Sequence, residues 1–364
     1  MDMKSIILLI FKLLMLGLFL GPFFSRAHAL DELFHVYDSP QGLAMGNAYT
    51  ADATGYAANY YNPAGLAKGT LTKWEVTFLA AEGSLSLTGI GKVLGAQSFG
   101  VHRVLNKIRG EGGYFYERGN LLASVQKRGF GFAILGSSEL AESSNGDQLD
   151  IRFTRDVVPT FGAGFNLAGN LIKIGAVGKL IARQQVKGTY LHEELATPEQ
   201  IDAQFKQGLA FGADIGFHLT LPNAWLPSLG FVWKDIFGTR FVRDSMVFAT
   251  NENGRPDNID QSFNIGVSVH PHLSNSVYAT FAAEVKHLAL REMSYLKRLH
   301  LGAQLDINRS FYLWAGLNQF YPTGGMGLRV KGGNLDVGIY TVDVGEGDER
   351  ASNMRTAIRY TIGF

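Results

Sequence analysis

The sequence predicts an all-β protein, a fourteen-stranded antiparallel transmembrane β-barrel. Three observations carry that prediction. The dominant hydrophobic period after residue 70 is two. The connections between strand candidates alternate short and long. Glycine reaches 44 of 364 residues in an aromatic-rich chain, about 12% against a usual ~7%. No G-X-Y repeat accompanies it, and no segment after residue 30 has the ~18 consecutive apolar residues of a spanning helix.

Residues 1–29 read as a signal peptide. Lys4 gives a positive start, Ile6 to Phe24 is largely apolar, and Ala27-His28-Ala29 matches an A-x-A cleavage site. Lys12 and the closing small residues argue against a membrane anchor. The formal charge of the whole chain is +1, and Lys4, Lys12 and Arg26 against Asp2 leave about −1 beyond residue 29. A nucleic-acid partner would need a basic excess. There is no cysteine, which excludes disulfides, thiolate metal sites and a lipidated cysteine.

Residues 30–70 precede the first alternating stretch and contain "ANYYNPAGLAKG" (58–69), two tyrosines and an Asn-Pro turn without acidic charge. Residues 71–364 supply the wall. The fourteen strand candidates are 71–80, 115–126, 130–138, 149–167, 171–185, 208–221, 227–236, 262–270, 276–287, 296–307, 310–318, 324–331, 334–343 and 353–364. Most reach the ~9–11 residues of a tilted spanning strand. Short turns at 127–129, 169–170, 222–227, 271–275, 308–309 and 332–333 alternate with longer links at 81–114, 139–148, 186–207, 237–261, 288–295, 319–323 and 344–352. Only 319–323 is short for its class. Short periplasmic turns alternating with long outer loops mark a barrel, whereas a sandwich has no reason to keep that order.

Face assignments follow from the period. Trp74, Val76 and Phe78 alternate with Glu75 and Thr77; Phe281 and Val285 alternate with Glu284 and Lys286. Ile172, Ile174 and Leu180 oppose Lys173, Lys179 and Arg183, with Ile181 the one blemish on the charged face. Leu299, Leu301 and Leu305 oppose Arg298, His300 and Asp306. The last strand sets Ile358, Tyr360, Ile362 and Phe364 against Arg355 and Arg359. The inward charges also include Lys73, Arg329, Lys331 and Asp336. A Lys or Arg on the lipid face at midplane would cost ~2–4 kcal/mol, so these face the lumen. Two roles remain open for them, attraction of a carboxylate-headed ligand or a salt-bridge lattice.

Two outer loops carry helical pattern. Residues 91–110 place Leu94, Val101 and Leu105 at helical spacing, while 197–208 opens on Thr197, Pro198 and Glu199, a cap, a first helical position and a first-turn acid. Their apolar faces either pack on the rim or line a landing site for a hydrophobic small molecule.

Catalytic and metal patterns are missing. The nine histidines show no H-x-x-x-H spacing, "GIGKVLG" (89–95) lacks the phosphate-loop frame, and "GSSEL" (136–140) lacks G-x-S-x-G. The reading is no enzyme, no cofactor and no metal.

The run "SPQGLAMGNAYTADATGYAANYYNPAGLA" (39–67) resembles the N-terminal segment of the FadL/PorV superfamily of outer-membrane barrels. Its two parts are Gly42 to Ala48 and Tyr61 to Leu66; "PSLGFVWKDI" (227–236) and "GLNQ…GGMGLR" (316–329) are also similar to family segments. The resemblance implies a fourteen-stranded barrel in the outer membrane of a Gram-negative bacterium, plugged by residues 30–70 as a hatch. It implies passive passage of hydrophobic, long-chain-fatty-acid-like molecules by capture at the outer loops, entry to the lumen, a shift of the hatch, and lateral escape through a gap in the wall. The hatch residues would be Asn59, Tyr60, Tyr61, Asn62, Pro63, Ala64 and Gly65, with Asn59 and Asn62 bonded to the wall. The plain alternative for Asn62-Pro63 is a turn feeding the first strand. PorV-like members imply a different role, a scaffold for a secretion or envelope protein with no cargo. The partners expected are outer-membrane lipid and either a hydrophobic ligand or such a protein, and no nucleic acid.

Overall fold

The computed structural model describes residues 32, 34–68, 73–87, 113–145, 148–195, 197–242, 254–289, 294–345 and 350–363. Fourteen long strands make the wall: β1 (Glu75–Ser86), β2 (Gly113–Lys127), β3 (Phe130–Asn145), β4 (Gln148–Leu167), β5 (Ile172–Leu191), β6 (Lys206–Thr220), β7 (Ser228–Lys234), β8 (Ser262–Val269), β9 (Val277–Val285), β10 (Leu299–Ile307), β11 (Phe311–Asn318), β12 (Tyr321–Val330), β13 (Gly333–Asp343) and β14 (Ser352–Gly363). A three-residue piece, His272–Ser274, adds to β9 at its turn. Every wall strand pairs antiparallel with its sequence neighbours, and β14 returns to β1 with Ile358 opposite Gly83. The sheet therefore has no open edge, and all its backbone groups can pair within the wall, as lipid demands.

Alternation sets the faces. Phe78, Leu121, Phe161, Phe211, Val267, Ile358 and Tyr360 stand exposed on the outside, while Arg118, Lys179, Arg183, Glu284, His300, Arg355 and Arg359 are buried within. An apolar exterior around a polar interior is the banding of a barrel whose solvent is lipid. This banding on a closed antiparallel barrel places the protein in the Gram-negative outer membrane. A β-bulge at Phe78–Leu79 shifts the phase of β1. Both side chains then face out, and Ala80 and Glu82 turn inward.

The short turns use left-handed residues where the chain must reverse: Gly129, Ala168 to Asn170, Asn308-Arg309 and Gly332. The connection at 319–323 reduces to a tight reversal with Gln319 and Phe320 both at positive φ. Strands β1, β3 and β5 run six or seven residues further outward than the sequence pattern indicated, ending at Ser86, Asn145 and Leu191. In these extensions Glu139 to Ser144 are all buried and Leu140 and Val186 join an apolar cluster at the outer rim, so alternation has little contrast to report there.

Two outer connections fold back. After β7, Asp235 (φ 49°) turns the chain inward. Thr239 then bridges Ile259, Val242 bridges Leu209, and Phe241 is buried. A segment read as an outer loop thus lines the inside of β6. The 197–208 link forms helix α3 (Pro198–Asp202), counting after α1 (Pro40–Ala44) and α2 (Ala58–Tyr61) in the N-terminal segment. Thr197 and Gln200 complete a capping box. Ile201 and Phe205 bury against Phe115, Leu140, Ile151 and Phe153 at the outer ends of β2–β4. Rim packing is what this helix does.

Candidate functional site

The segment 39–68 occupies the short-turn half of the barrel, and its two motif halves form one unit. Tyr61 Oη accepts from the backbone N–H of Ser39 at 3.0 Å and donates to Asn47 at 2.9 Å. Gly42 lies under that hydroxyl, where a Cβ would come within 2.6 Å of it. Pro63 follows an extended Asn62 (φ −158°, ψ 107°) and opens a 3-10 turn, Pro63–Ala67. That is the backbone a pre-proline residue prefers. Asn62 accepts from Ala64 N–H and donates to Thr50 O and to Phe217 O of β6. Asn59 donates to Thr160 of β4 at 3.2 Å. Both asparagines therefore bond to the inner wall. Tyr60 and Ala64 are fully enclosed, and Gly65 is needed for close approach, since its Cβ would lie 2.3 Å from Ala53 O.

The wall is shaped to receive this segment. Facing it are cross-strand glycine pairs: Gly131–Gly162, Gly164–Gly175, Gly175–Gly216, Gly230–Gly266, Gly302–Gly316 and Gly325–Gly338. A Cβ on Gly175 would lie 2.3 Å from Pro63 O, on Gly230 2.7 Å from Ala51 Cα, and on Gly302 2.4 Å from Met45 O. Glycine inside a strand costs about 0.5–1 kcal/mol relative to alanine. The backbone-to-backbone approach accounts for its retention at these positions. Polar anchors supplement the fit. Glu284 accepts from Tyr49 N–H (2.8 Å), Thr50 N–H (2.9 Å) and the Thr50 hydroxyl. Thr323 bridges Ala44 O and Gly46 N–H, and Gly129 N–H donates to Leu66 O.

Glu32 and Phe34–Asp38 run on toward the outer end and are held differently. Arg355 grips Glu32 through two contacts of 2.7 Å, Tyr37 donates to Glu82 at 2.7 Å, and Arg118 donates to Val36 O at 3.1 Å.

The inward charges are spent on one another. Lys179 contacts Asp214 (2.7 Å) and Asp235 (2.9 Å), fixing the inward turn after β7. Arg183 is bidentate on Asp156 and lies over Phe34 and Phe241. Arg359 and Arg329 both bind Asp336. Lys286 stands 4.0 Å from Glu284 and over Tyr61. Lys173 donates to Asn170 O at the rim, and Arg298, buried, stacks on Tyr295. A salt-bridge lattice fits these side chains better than a ligand-attracting array. Lys73, Glu75 and Lys331 sit exposed at the ends of the wall. Leu94, Val101, Leu105 and Phe364, with residues 1–29, lie outside the described residues. Among the described residues no three His, Asp or Glu side chains converge as metal ligands.

A feature that alternation concealed runs across β1–β6. Ala80, Leu122, Leu135, Val158, Ile181 and Ala210 all face inward and are buried. Ala80 opposes Leu122, Leu122 opposes Leu135, Leu135 opposes Val158, and Ile181 opposes Ala210. They form a continuous apolar stripe inside a polar lumen, covered by Tyr37, Tyr60 and Phe241. Each pattern break in sequence is an apolar doublet: Leu121-Leu122, Ile134-Leu135, Val157-Val158 and Leu180-Ile181. The first of each pair faces lipid and the second the lumen. Ile181, the blemish on a charged face, belongs to this row.

On the outside at the same height, the row Ala81–Leu121–Gly136–Val157 and the row Gly83–Gly119–Ser138 border a hollow of about 730 Å³, completed by Ile358 and Tyr360. A Cβ on Gly83 or Gly119 would meet open space, unlike those in the seat. The β4–β5 ladder is interrupted beside this hollow at Val158 and Pro159, because proline has no N–H to donate.

No protein-family model and no curated relative matches the chain. Solved structures do. The chain is similar to the CymD monoaromatic hydrocarbon channel at 14% identity and TM-score 0.55, over 92% of this chain and 99% of that one. It is similar to the Ralstonia pickettii toluene transporter TbuX at 13% and 0.56, covering 90% and 98%. Against the P. putida toluene transporter TodX the values are 12% and 0.52, covering 90% and 98%. Over nearly its whole length, the chain has the barrel fold of these channels.

Proposed function

We propose that the protein is a passive outer-membrane channel for uncharged or weakly polar hydrophobic molecules, with monoaromatic hydrocarbons as the first class to test. The apolar stripe carries the reading. Six buried apolar side chains in one cross-strand row have no role in a salt-bridge lattice, and a polar solute gains nothing from them. A hydrophobe of benzene size gains roughly 25 cal/mol for each Å² of apolar surface withdrawn from water. The fold likeness to three hydrocarbon channels supports the same reading. In this account the hatch residues Asn59 to Gly65 seal the short-turn half, so cargo leaves sideways. The outer hollow lies directly behind the stripe, where the ladder is interrupted and Gly83, Gly119 and Gly136 carry no side chain, which favours it as the exit.

Uptake of labelled toluene by cells, at matched surface levels, tests this. Native protein should raise uptake above vector background. Gly136→Leu, which fills the hollow from outside, should cut it several-fold while leaving heat-modifiable gel migration intact. Leu135→Gln, which breaks the stripe, should do the same. Background uptake by folded native protein, with a second protein retained stoichiometrically in detergent, would replace transport with the scaffold role.

A further inference from the structure

We infer that Glu32–Asp38 is a strap latched to the wall by the His35–His287 pair and released by acid, while segment 39–68 stays seated; this rests on the transport reading for its purpose but not for its test. The latch is a chain of hydrogen bonds. His35 Nδ1 lies 2.9 Å from Asp38, His35 Nε2 lies 2.8 Å from His287 Nε2, and His287 Nδ1 lies 3.1 Å from Ser262 Oγ. Ser262 donates onward to Asn264 at 3.0 Å. The rings meet edge to edge through these nitrogens, 18° from parallel with centroids 5.1 Å apart.

Two facing nitrogens at that separation accommodate one proton. Asp38 stands at His35 Nδ1, Ser262 Oγ at His287 Nδ1, and a single N–H bridges the two Nε2 atoms. A second proton, on His287, would point two N–H groups at each other across that contact.

The surroundings oppose that second charge. Lys286 is next in the chain, Lys234 projects from the end of β7, and His300 comes from β10; all three act on His287. Burial first, and then the nearby charges that include Lys286 and Lys234, hold His287 well below the ordinary histidine range. On the strap side Asp38 stays ionised, its carboxyl drawn well down by His35, Lys286 and Arg118 despite burial. Glu32 and Glu139 line the same cavity, and both contact Arg152. Glu32 is not the trigger. Burial pushes it up, but Arg355 and Arg152 bring it down to about 2.

The direction follows. A histidine held neutral when latched and free to titrate near ~6.5 when released stabilises the latched state above that value, and the stabilisation falls as pH drops. Water reaches the pair. Two cavities of about 40 Å³ each flank the strap, and His35 and His287 line both. Each exceeds the roughly 10–15 Å³ that admits a water.

The chain has no cysteine, so a single Val36→Cys reports strap release directly, without cargo. Its modification by a membrane-impermeant methanethiosulfonate, normalised to Glu193→Cys on the exposed outer rim, should run about tenfold faster at pH 5.5 than at pH 7.5. In His287→Gln, which cannot take the second proton, the ratio should be flat. An Ala44→Cys probe in the seated segment should stay protected at both pH values. A pH-independent Val36→Cys rate, or the same profile in His287→Gln, overturns the latch. Equal acid exposure of Ala44→Cys would mean general loosening and overturns the strap.

Discussion

Segment 39–68 and the stretch Glu32–Asp38 are consecutive in one chain and enclosed by one wall, yet they are fastened in opposite ways. The first meets the wall backbone to backbone, over cross-strand glycine pairs with no side chain to move aside. The second touches the wall through rotatable, ionisable side chains and is flanked by cavities. Close packing has two states, seated or strained. Side-chain ion pairs can be exchanged for water. The large motif is built as a fixed seat, and in the proposed route the short, motif-free stretch is the part that moves.

The strongest way to break that comparison is to put a side chain into the seat. Gly175→Val would drive a β-branched group into Pro63 O. Overpacking costs about 1–3 kcal/mol even where neighbours can shift, and here the neighbour is backbone. Loss of heat-modifiable gel migration, or a sharply lower melting temperature, is expected. Gly119→Ala, which meets open space in the outer hollow, should stay within about 0.5 kcal/mol of native. Equal effects from the two would remove the distinction between seat and hollow.

Next in size is Asn62→Ala, which leaves buried groups on Ala64, Thr50 and Phe217 without their partner. About 1–3 kcal/mol of destabilisation is expected, read as a lower melting temperature. Uptake per folded molecule should not change. A changed transport rate at unchanged stability would make Asn62 a gate residue instead.

The smallest effect sharpens the account at the rim. His270 lies 2.8 Å from Asp52. Burial pulls His270 down, but the Asp52 hydrogen bond and charge outweigh it and raise its pKa. Asp52, raised by burial and lowered more by His270 and Lys68, ends below its ordinary value. The His270 contribution is present below about 6.5 and lost as pH rises through its raised value; the Asp52 contribution is present above about 3.8 and lost in acid. His270→Gln should therefore lower thermal stability most near pH 5–6 and least above about pH 8. A pH-independent difference would show the pair to be packing alone.

Much of the wall was legible in the sequence because lipid and lumen give alternate residues opposite solvents. The fourteen wall strands overlap the stretches that period two marked, and Asn59 and Asn62 bond to the wall. Where both faces meet similar surroundings, legibility ended. The outer extension of β3 is buried from Glu139 to Ser144 on both faces, and the inward turn at Asp235 depends on Lys179, far away in sequence. The glycine excess was countable, but a glycine fits either face, and only register shows that Gly175 opposes Gly216. The stripe left a local mark in its four apolar doublets. Their shared height needed the pairing of four strands to become visible.

The central claim, that cargo passes a moving strap while the hatch stays fixed, is tested most directly by locking each part in turn. In one protein Ala44→Cys and Gly338→Cys, whose Cβ positions lie 3.1 Å apart, are joined by oxidation. In the other, His35→Cys and His287→Cys are joined by a short reducible bis-thiol linker. Toluene uptake should persist with the hatch locked. It should fall to background with the strap locked and return on reduction. Uptake lost with the hatch locked and retained with the strap locked would contradict the account.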